Sequence, residues 1–150
     1  MSRFLSIVFG LFVFLFGSLS FSNSVLALGV SDGVLSPCPT SPNCVVSQDG
    51  DAEHSIAAIS YNGDRAAAKE TLLKVLSVVP RTEIIEETDN YVLAESTSRI
   101  FKFVDDAEFY FPEDEKIIQV RSASRVGESD LGVNRRRIEQ IRLAMEDLGV

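Results

Sequence analysis

The segment Arg121-Ser-Ala-Ser-Arg-Val-Gly-Glu-Ser-Asp-Leu-Gly-Val-Asn-Arg-Arg-Arg137 carries five arginines against two acids, in a 150-residue chain whose formal net charge is −8. A guanidinium is a planar fork of donors that fits a carboxylate or phosphate. Arg135, Arg136 and Arg137 fall at a predicted helix start, where cations oppose the macrodipole, so helix stability alone does not account for them. Two fates are open: internal pairing, with Asp105 and Asp106 as the nearest acids on neighbouring strands, or an external anionic ligand or partner. The candidate ligand- or partner-binding residues are therefore Arg121, Arg125, Asn134, Arg135 and Arg136, with Asp105 and Asp106 beside them. Strand alternation puts Arg121 and Arg125 on one face, opposite Val120, Ser122 and Ser124. Gly127 and Gly132 let the chain reverse and bring Arg135 back toward that pair, and free N–H groups at the helix start would add to an anion-favouring field. Asp105 and Asp106 are adjacent in sequence, so an extended strand sends them to opposite sides and denies them the role of a catalytic carboxylate pair. A bend between them would weaken that argument.

Two cysteines, Cys38 and Cys44, lie in a loop stiffened by Pro37, Pro39 and Pro42. An even count in an exported chain reads as a disulfide. The rival readings are a redox pair, which favours two intervening residues rather than five, and a metal site with His54, which would supply only three soft ligands where zinc wants four. His54, the only histidine, reads as a structural hydrogen-bonding group. As a general base it lacks an assignable nucleophile. No Gly-rich phosphate loop, zinc-binding helix motif or Gly-x-Ser-x-Gly elbow occurs, and no cofactor is implied.

These groups must be positioned by short strands and two helices. Residues 28–53 form a Pro-, Gly- and Ser-rich arm without sustained periodicity, fixed by the cysteine loop. His54 to Tyr61 alternates as a first strand. Asp64 is a helix N-cap, and Ala68, Leu72, Val75, Leu76 and Val79 make one apolar stripe that Pro80 ends. Strands over Thr82–Thr88 and Tyr91–Thr97 flank an Asp89-Asn90 turn. Further strands cover Ile100–Val104 and Ala107–Phe111, bent apart at Asp105-Asp106, and Ile117–Ser124 is the last. Phe101, Phe103, Phe109 and Phe111 read as core. The second helix runs from about Val133 to Asp147, with Ile138, Ile141, Met145 and Leu148 on its apolar stripe, Arg137 at the border of that stripe and Arg135 facing Glu139. Leu72, Leu76, Ile138, Ile141 and Met145 are expected to face Phe101, Phe103 or Phe109.

Residues 1–27 read as an export signal: Arg3 gives a basic start, Phe4–Gly17 is apolar, and Val25-Leu26-Ala27 fits a small-residue cleavage site. The apolar run is shorter than the ~20 residues of a spanning helix, but continuing it through Leu19 and Phe21 leaves an uncleaved membrane anchor as the alternative. Cleavage after Ala27 removes 27 residues and leaves 123, enough for one domain with its own core. Losing Arg3 takes the mature chain to −9, which disfavours nucleic acid or an anionic membrane as a general partner.

Four pieces together resemble one family, the domain of unknown function 1499. They are Leu35-Ser-Pro-Cys-Pro-Thr-Ser-Pro-Asn-Cys-Val-Val-Ser-Gln48, Thr88-Asp-Asn-Tyr91, Phe101-Lys-Phe-Val-Asp-Asp-Ala-Glu-Phe109 and the arginine segment. They span about Leu35 to Leu143. The resemblance carries no catalytic residue with it, and it implies an exported protein of bacteria or plastid-bearing lineages. The expectation is an α+β fold, a single domain with two helices packed on a mostly antiparallel sheet of about five or six strands. The expected function is non-enzymatic: an interaction or assembly factor of the periplasm or thylakoid lumen, working through the arginine segment and the nearby Asp105-Asp106 on a protein partner. The alternative is a small-molecule binding protein in which Arg121, Arg125 and Arg135 clamp a carboxylate or phosphate. An enzyme using His54 as base comes third.

Overall fold

The computed structural model describes residues 28–150; the expected signal segment, residues 1–27, lies outside them. In chain order the elements are β1 (Val30–Ser31), β2 (Val34–Leu35), β3 (Cys44–Val46), β4 (Ile59–Ser60), α1 (Arg65–Val78), β5 (Thr82–Glu87), β6 (Tyr91–Thr97), β7 (Val104–Tyr110), β8 (Ile117–Ser124) and α2 (Val133–Asp147). The fold is α+β. Its six-stranded sheet runs β3-β8-β7-β6-β5, with β4 also pairing β8. Every named ladder is antiparallel, and the short connections of β5–β6, β6–β7 and β7–β8 require it of those pairs.

α1 begins where Asp64 accepts the Ala67 N–H at 2.8 Å, and its backbone turns extended at Val79, before Pro80. Its buried residues Ala68, Leu72, Val75 and Leu76 meet Ile138, Ile141 and Met145 of α2 over one sheet face, built from Val92, Ala94, Ala107, Phe109, Ile118 and Val120. The helix stripes therefore find the face expected of them, with Phe109 as the aromatic partner.

Four expectations change. Ile100–Val104 and Ala107–Phe111 are not two bent strands: β7 runs straight through Asp105-Asp106, because each aspartate finds an arginine on its own side of the sheet. Phe101 and Phe103 are consequently in a loop, 72 % and 49 % exposed, while Phe109 and Phe111 are buried. The strand expected over His54–Tyr61 shrinks to Ile59–Ser60, which pairs with Ile117–Ile118, and a single parallel bridge from Ser55 to Val46, because β3 occupies the neighbouring edge of β8 and Asp51 holds Glu53 and His54 in a turn. Leu148 lies past the helix end and is exposed.

The N-terminal arm is drawn into the fold. β3 pairs with Arg121–Ala123 as a sheet strand, and Leu35 packs with Tyr91 and Leu93 on the sheet face opposite the helices. Strands of two and three residues are too short to leave a periodic signal in a sequence.

Candidate functional site

The β8–α2 connection is built mainly by polar side chains that point inward. Asn134, wholly buried, accepts hydrogen bonds from Ser122 Oγ and Arg137 Nη1, both at 2.6 Å. Its amide nitrogen lies within 2.9–3.1 Å of Asp130 Oδ2, Ser124 Oγ and the Asn43 carbonyl. Asp130 caps the helix, taking the Gly132 and Asn134 N–H groups at 2.8 and 2.7 Å. That start is therefore closed by a carboxylate rather than open to an outside anion, contrary to the sequence expectation. Asn43 reaches back to the Gly127 carbonyl at 2.5 Å. Thus Ser-Pro-Asn-Cys and the arginine segment, two of the pieces that carry the family resemblance, lock onto each other.

Arg121, Arg125 and Arg135 do not converge. Arg121 lies on the sheet face away from the helices, 1 % exposed, with Nη1 donating to Glu108 at 2.8 Å. Glu108 also accepts the Tyr91 hydroxyl at 2.9 Å and the Gly29 N–H at 2.7 Å. Burial, then the Glu108 charge, pushes the Tyr91 hydroxyl far above its ordinary pKa. Arg125 binds Asp106 through Nε at 2.9 Å and Nη2 at 2.8 Å, and also meets Glu95. Those bonds, Asp106's foremost, hold its proton more tightly than usual. Arg135 turns to the carbonyls of Ser55 and Glu53, both at 2.8 Å, instead of Glu139. Asp105, on the helix side, pairs with Arg137 at 2.6 Å. Asp105 and Asp106 do point to opposite faces, and each is neutralised there.

Cys38 and Cys44 are bridged, with Cα atoms 5.6 Å apart. His54 is buried beside that loop. Its Nδ1 faces Asp51 Oδ1 at 2.8 Å and its Nε2 faces the Ser41 carbonyl at 3.1 Å. Two acceptors facing two ring nitrogens favour the doubly protonated imidazolium. Burial opposes the charge, but the Asp51 and Ser41 bonds and nearby acids outweigh it, so the His54 pKa is raised. The Asp51 pKa is lowered, chiefly by the His54 backbone N–H and then by its ring. His54 acts as a clasp on the disulfide loop, with neither nitrogen free to take a proton from a substrate. Among the described residues no group of three or more His, Cys, Asp or Glu side chains is placed to hold a metal ion.

A cleft of about 440 Å³ opens where α1 ends, β6 ends and α2 begins. Arg81, Arg99, Arg136 and Arg137 line it, with Asp105 as the one carboxylate among its lining residues. Arg137 is committed to that aspartate. Arg81 donates through Nε to the Thr97 carbonyl at 3.0 Å, and Arg136 through Nη1 to the Leu131 carbonyl at 2.8 Å. Neither these two nor Arg99 forms an ion pair with a carboxylate among the described residues. The backbone of Arg81 is left-handed, at φ 57°, a conformation that costs a non-glycine residue roughly 1–2 kcal/mol. The Thr97 N–H holds it there by bonding the Arg81 carbonyl at 2.9 Å. An apolar slot of about 100 Å³ between the helices shares Val79, Arg137 and Gln140 with the cleft.

A family model described as "Protein of unknown function (DUF1499)" matches residues 34–145. The chain belongs to that family. Comparison with curated proteins and with solved structures finds no match. Of the sequence-selected residues, only Arg136 and Asp105 line the DUF1499 domain's cleft. Arg81 and Arg99 were missed because they lie far from the arginine segment in sequence. The signal that could have found them is topological: the β5–β6 hairpin returns Thr97 beside Arg81, and the next strand starts where α2 starts.

Proposed function

We propose that this chain is an exported, non-enzymatic binding protein whose arginine cleft takes a small carboxylate or phosphate. The observation that carries this reading is one cleft lined by three guanidinium groups that have no carboxylate partner among the described residues, in an acidic protein. Such forks match oxyanion geometry, and they gain strength where one wall is protein rather than water. The cleft volume lies in the range of small-molecule sites, roughly 300–1,000 Å³. This reading takes up the alternative expected from the sequence, a small-molecule binding protein, in place of the interaction or assembly factor, and moves the clamp from Arg121, Arg125 and Arg135 to Arg81, Arg99 and Arg136.

Export rests on the signal-like residues 1–27 together with the Cys38–Cys44 bridge, which suits an oxidising periplasm or thylakoid lumen. The non-enzymatic reading is supported by the engagement of both His54 nitrogens and by the pairing of Asp105 and Asp106 on opposite faces.

The test pairs thermal melting with anion binding on single variants. Arg99→Ala and Arg136→Ala should melt within about 2 °C of wild type, since each alters an exposed side chain. Both should lose phosphate or citrate binding measured against chloride at equal ionic strength. Variants that bind as wild type does, or that lose binding only in proportion to stability, would overturn the proposal.

A further inference from the structure

The loop between β6 and β7 is ordered yet turns its apolar residues outward. Ser98 N–H donates to the Phe103 carbonyl at 2.8 Å and Phe103 N–H to Ser98 Oγ at 2.9 Å, so the base of the loop is closed. Within it Phe101 and Phe103 stack on each other, ring centroids 5.5 Å apart and 20° between planes. Ile100 beside them is 77 % exposed. Folding normally hides such residues, and exposed apolar patches on folded proteins mark contact sites. Arg99 and Lys102 alternate with the rings, and neither forms an ion pair among the described residues. Exposed Leu131 joins the same end of the molecule, where its carbonyl binds Arg136 in the cleft wall. Lys102 and Leu131 both have left-handed backbones, at φ 57° and 54°. Strained backbone of this kind concentrates at functional sites.

We propose that this end of the protein docks on an anionic lipid bilayer, with Phe101 and Phe103 entering the acyl boundary and Arg99 and Lys102 meeting headgroup anions. Aromatic rings flanked by cations have the composition of a membrane interface. The net charge of −8 argues against indiscriminate attraction to an anionic surface. Exposed charges are nevertheless screened beyond roughly 8–10 Å, so the local charge of the docking end decides. There Asp105 pairs with Arg137, Asp106 and Glu95 share Arg125, and Asp130 is held by N–H groups at the helix cap, while Glu83 beside Glu95 has no ion pair among the described residues. Glu128 and Asp130, the two acids of the β8–α2 turn, form no ion pair among the described residues, and the cations Arg99, Lys102 and Arg136 stand against them. A single loop tip is also small for a stable protein interface, which buries roughly 1,200–2,000 Å². Arg99 is shared with the cleft, so docking is read out from Phe101 and Phe103, which do not line it.

Residues 28–150 contain both described cores and exclude the apolar leader, so they are the protein to test. Co-sedimentation is measured with vesicles of phosphatidylcholine alone and of phosphatidylcholine with phosphatidylglycerol. The wild type should bind the anionic vesicles at least tenfold more tightly. Phe101→Ser with Phe103→Ser should lose at least tenfold of that affinity while keeping its melting temperature and its phosphate binding. Equal binding to both vesicle types, or a double variant that binds as wild type does, overturns the proposal. A wild-type dimer that the double variant dissolves, with no vesicle binding, also overturns it and assigns the loop to a second copy. Loss of phosphate binding in Arg136→Ala concerns the cleft alone, so the two readings fail separately.

Discussion

Removing the Arg121 guanidinium should be among the most damaging single changes in this protein. The side chain is 1 % exposed and its partner Glu108 is 0 % exposed, sealed on the sheet face opposite the helices, where Leu35, Tyr91 and Leu93 cluster. Arg121→Ala leaves a buried carboxylate with two remaining donors, the Tyr91 hydroxyl and the Gly29 N–H. Breaking a buried pair by deleting one partner costs about 3–5 kcal/mol. For a fold of this size that lowers the melting temperature by roughly 10–25 °C, a large share of the ~5–15 kcal/mol that holds a typical domain folded. Arg121→Met combined with Glu108→Leu removes both charges and keeps the volume. It should recover part of that loss, because no charge is left buried alone, while the Tyr91 hydroxyl and the Gly29 N–H lose their acceptor at about 1–3 kcal/mol each. Urea unfolding of residues 28–150 measures both variants, and the double variant stays readable if the single one does not fold. A loss below about 1 kcal/mol for Arg121→Ala, or a double variant no more stable than the single, would refute this account of the pair.

Ile141→Ala should lose about 2–5 kcal/mol in the same assay, since the side chain is fully buried between helix and sheet; a loss below 1 kcal/mol would make α2 peripheral. Replacing Cys38 and Cys44 by serine should cost roughly 2 kcal/mol for so short a loop, and hydrogen exchange should show β3 loosening from β8 first. Arg81→Gly should raise stability by about 1 kcal/mol, because it relieves a left-handed arginine, yet weaken anion binding; a loss of stability would mean the Thr97 contact outweighs the strain. The pH profile follows from the His54 clasp. His54 has a pKa raised above its ordinary 6.5, so its contribution is complete below that value and is lost as pH rises through the folded value. Asp51, lowered from 3.8, contributes above that value and loses its effect as pH falls through the folded one. Wild type should therefore be more stable at pH 5 than at pH 8 by an amount absent from His54→Gln, and equal pH dependence in the two would discard the clasp.

Much of the fold was legible because its elements announce themselves. The Asp64 cap, the stripe from Ala68 to Val79 and Pro80 bracket α1, and the ends of β8 and α2 fall where alternation and helical spacing put them. β3 was not legible: three residues carry no period, and Cys44–Val46 is fixed by long-range pairing with β8. Phe101 and Phe103 misled because strand alternation places two side chains on one sheet face only where the backbone between them is extended, and Lys102 at φ 57° breaks the strand there. The candidate cleft was legible only in its Arg136 and Asp105. An excess of arginine pointed to an anion, but composition cannot tell which arginines the sheet will pair. Arg121 and Arg125 lie across the sheet from carboxylates and are neutralised, whereas Arg81 and Arg99 come together only through the β5–β6 hairpin.

The cleft arginines either grip an anion or stand around a solvated gap. Nitrogen-proton correlation spectra that resolve the arginine side-chain Nε–H signals, recorded while phosphate is titrated into residues 28–150, address that directly. The signals of Arg81, Arg99 and Arg136 should move together and saturate with one dissociation constant, while those of Arg121 and Arg125 stay fixed in their ion pairs. Small, unsaturating shifts spread equally over all arginines would contradict the claim and leave the cleft a solvated gap between two helix ends.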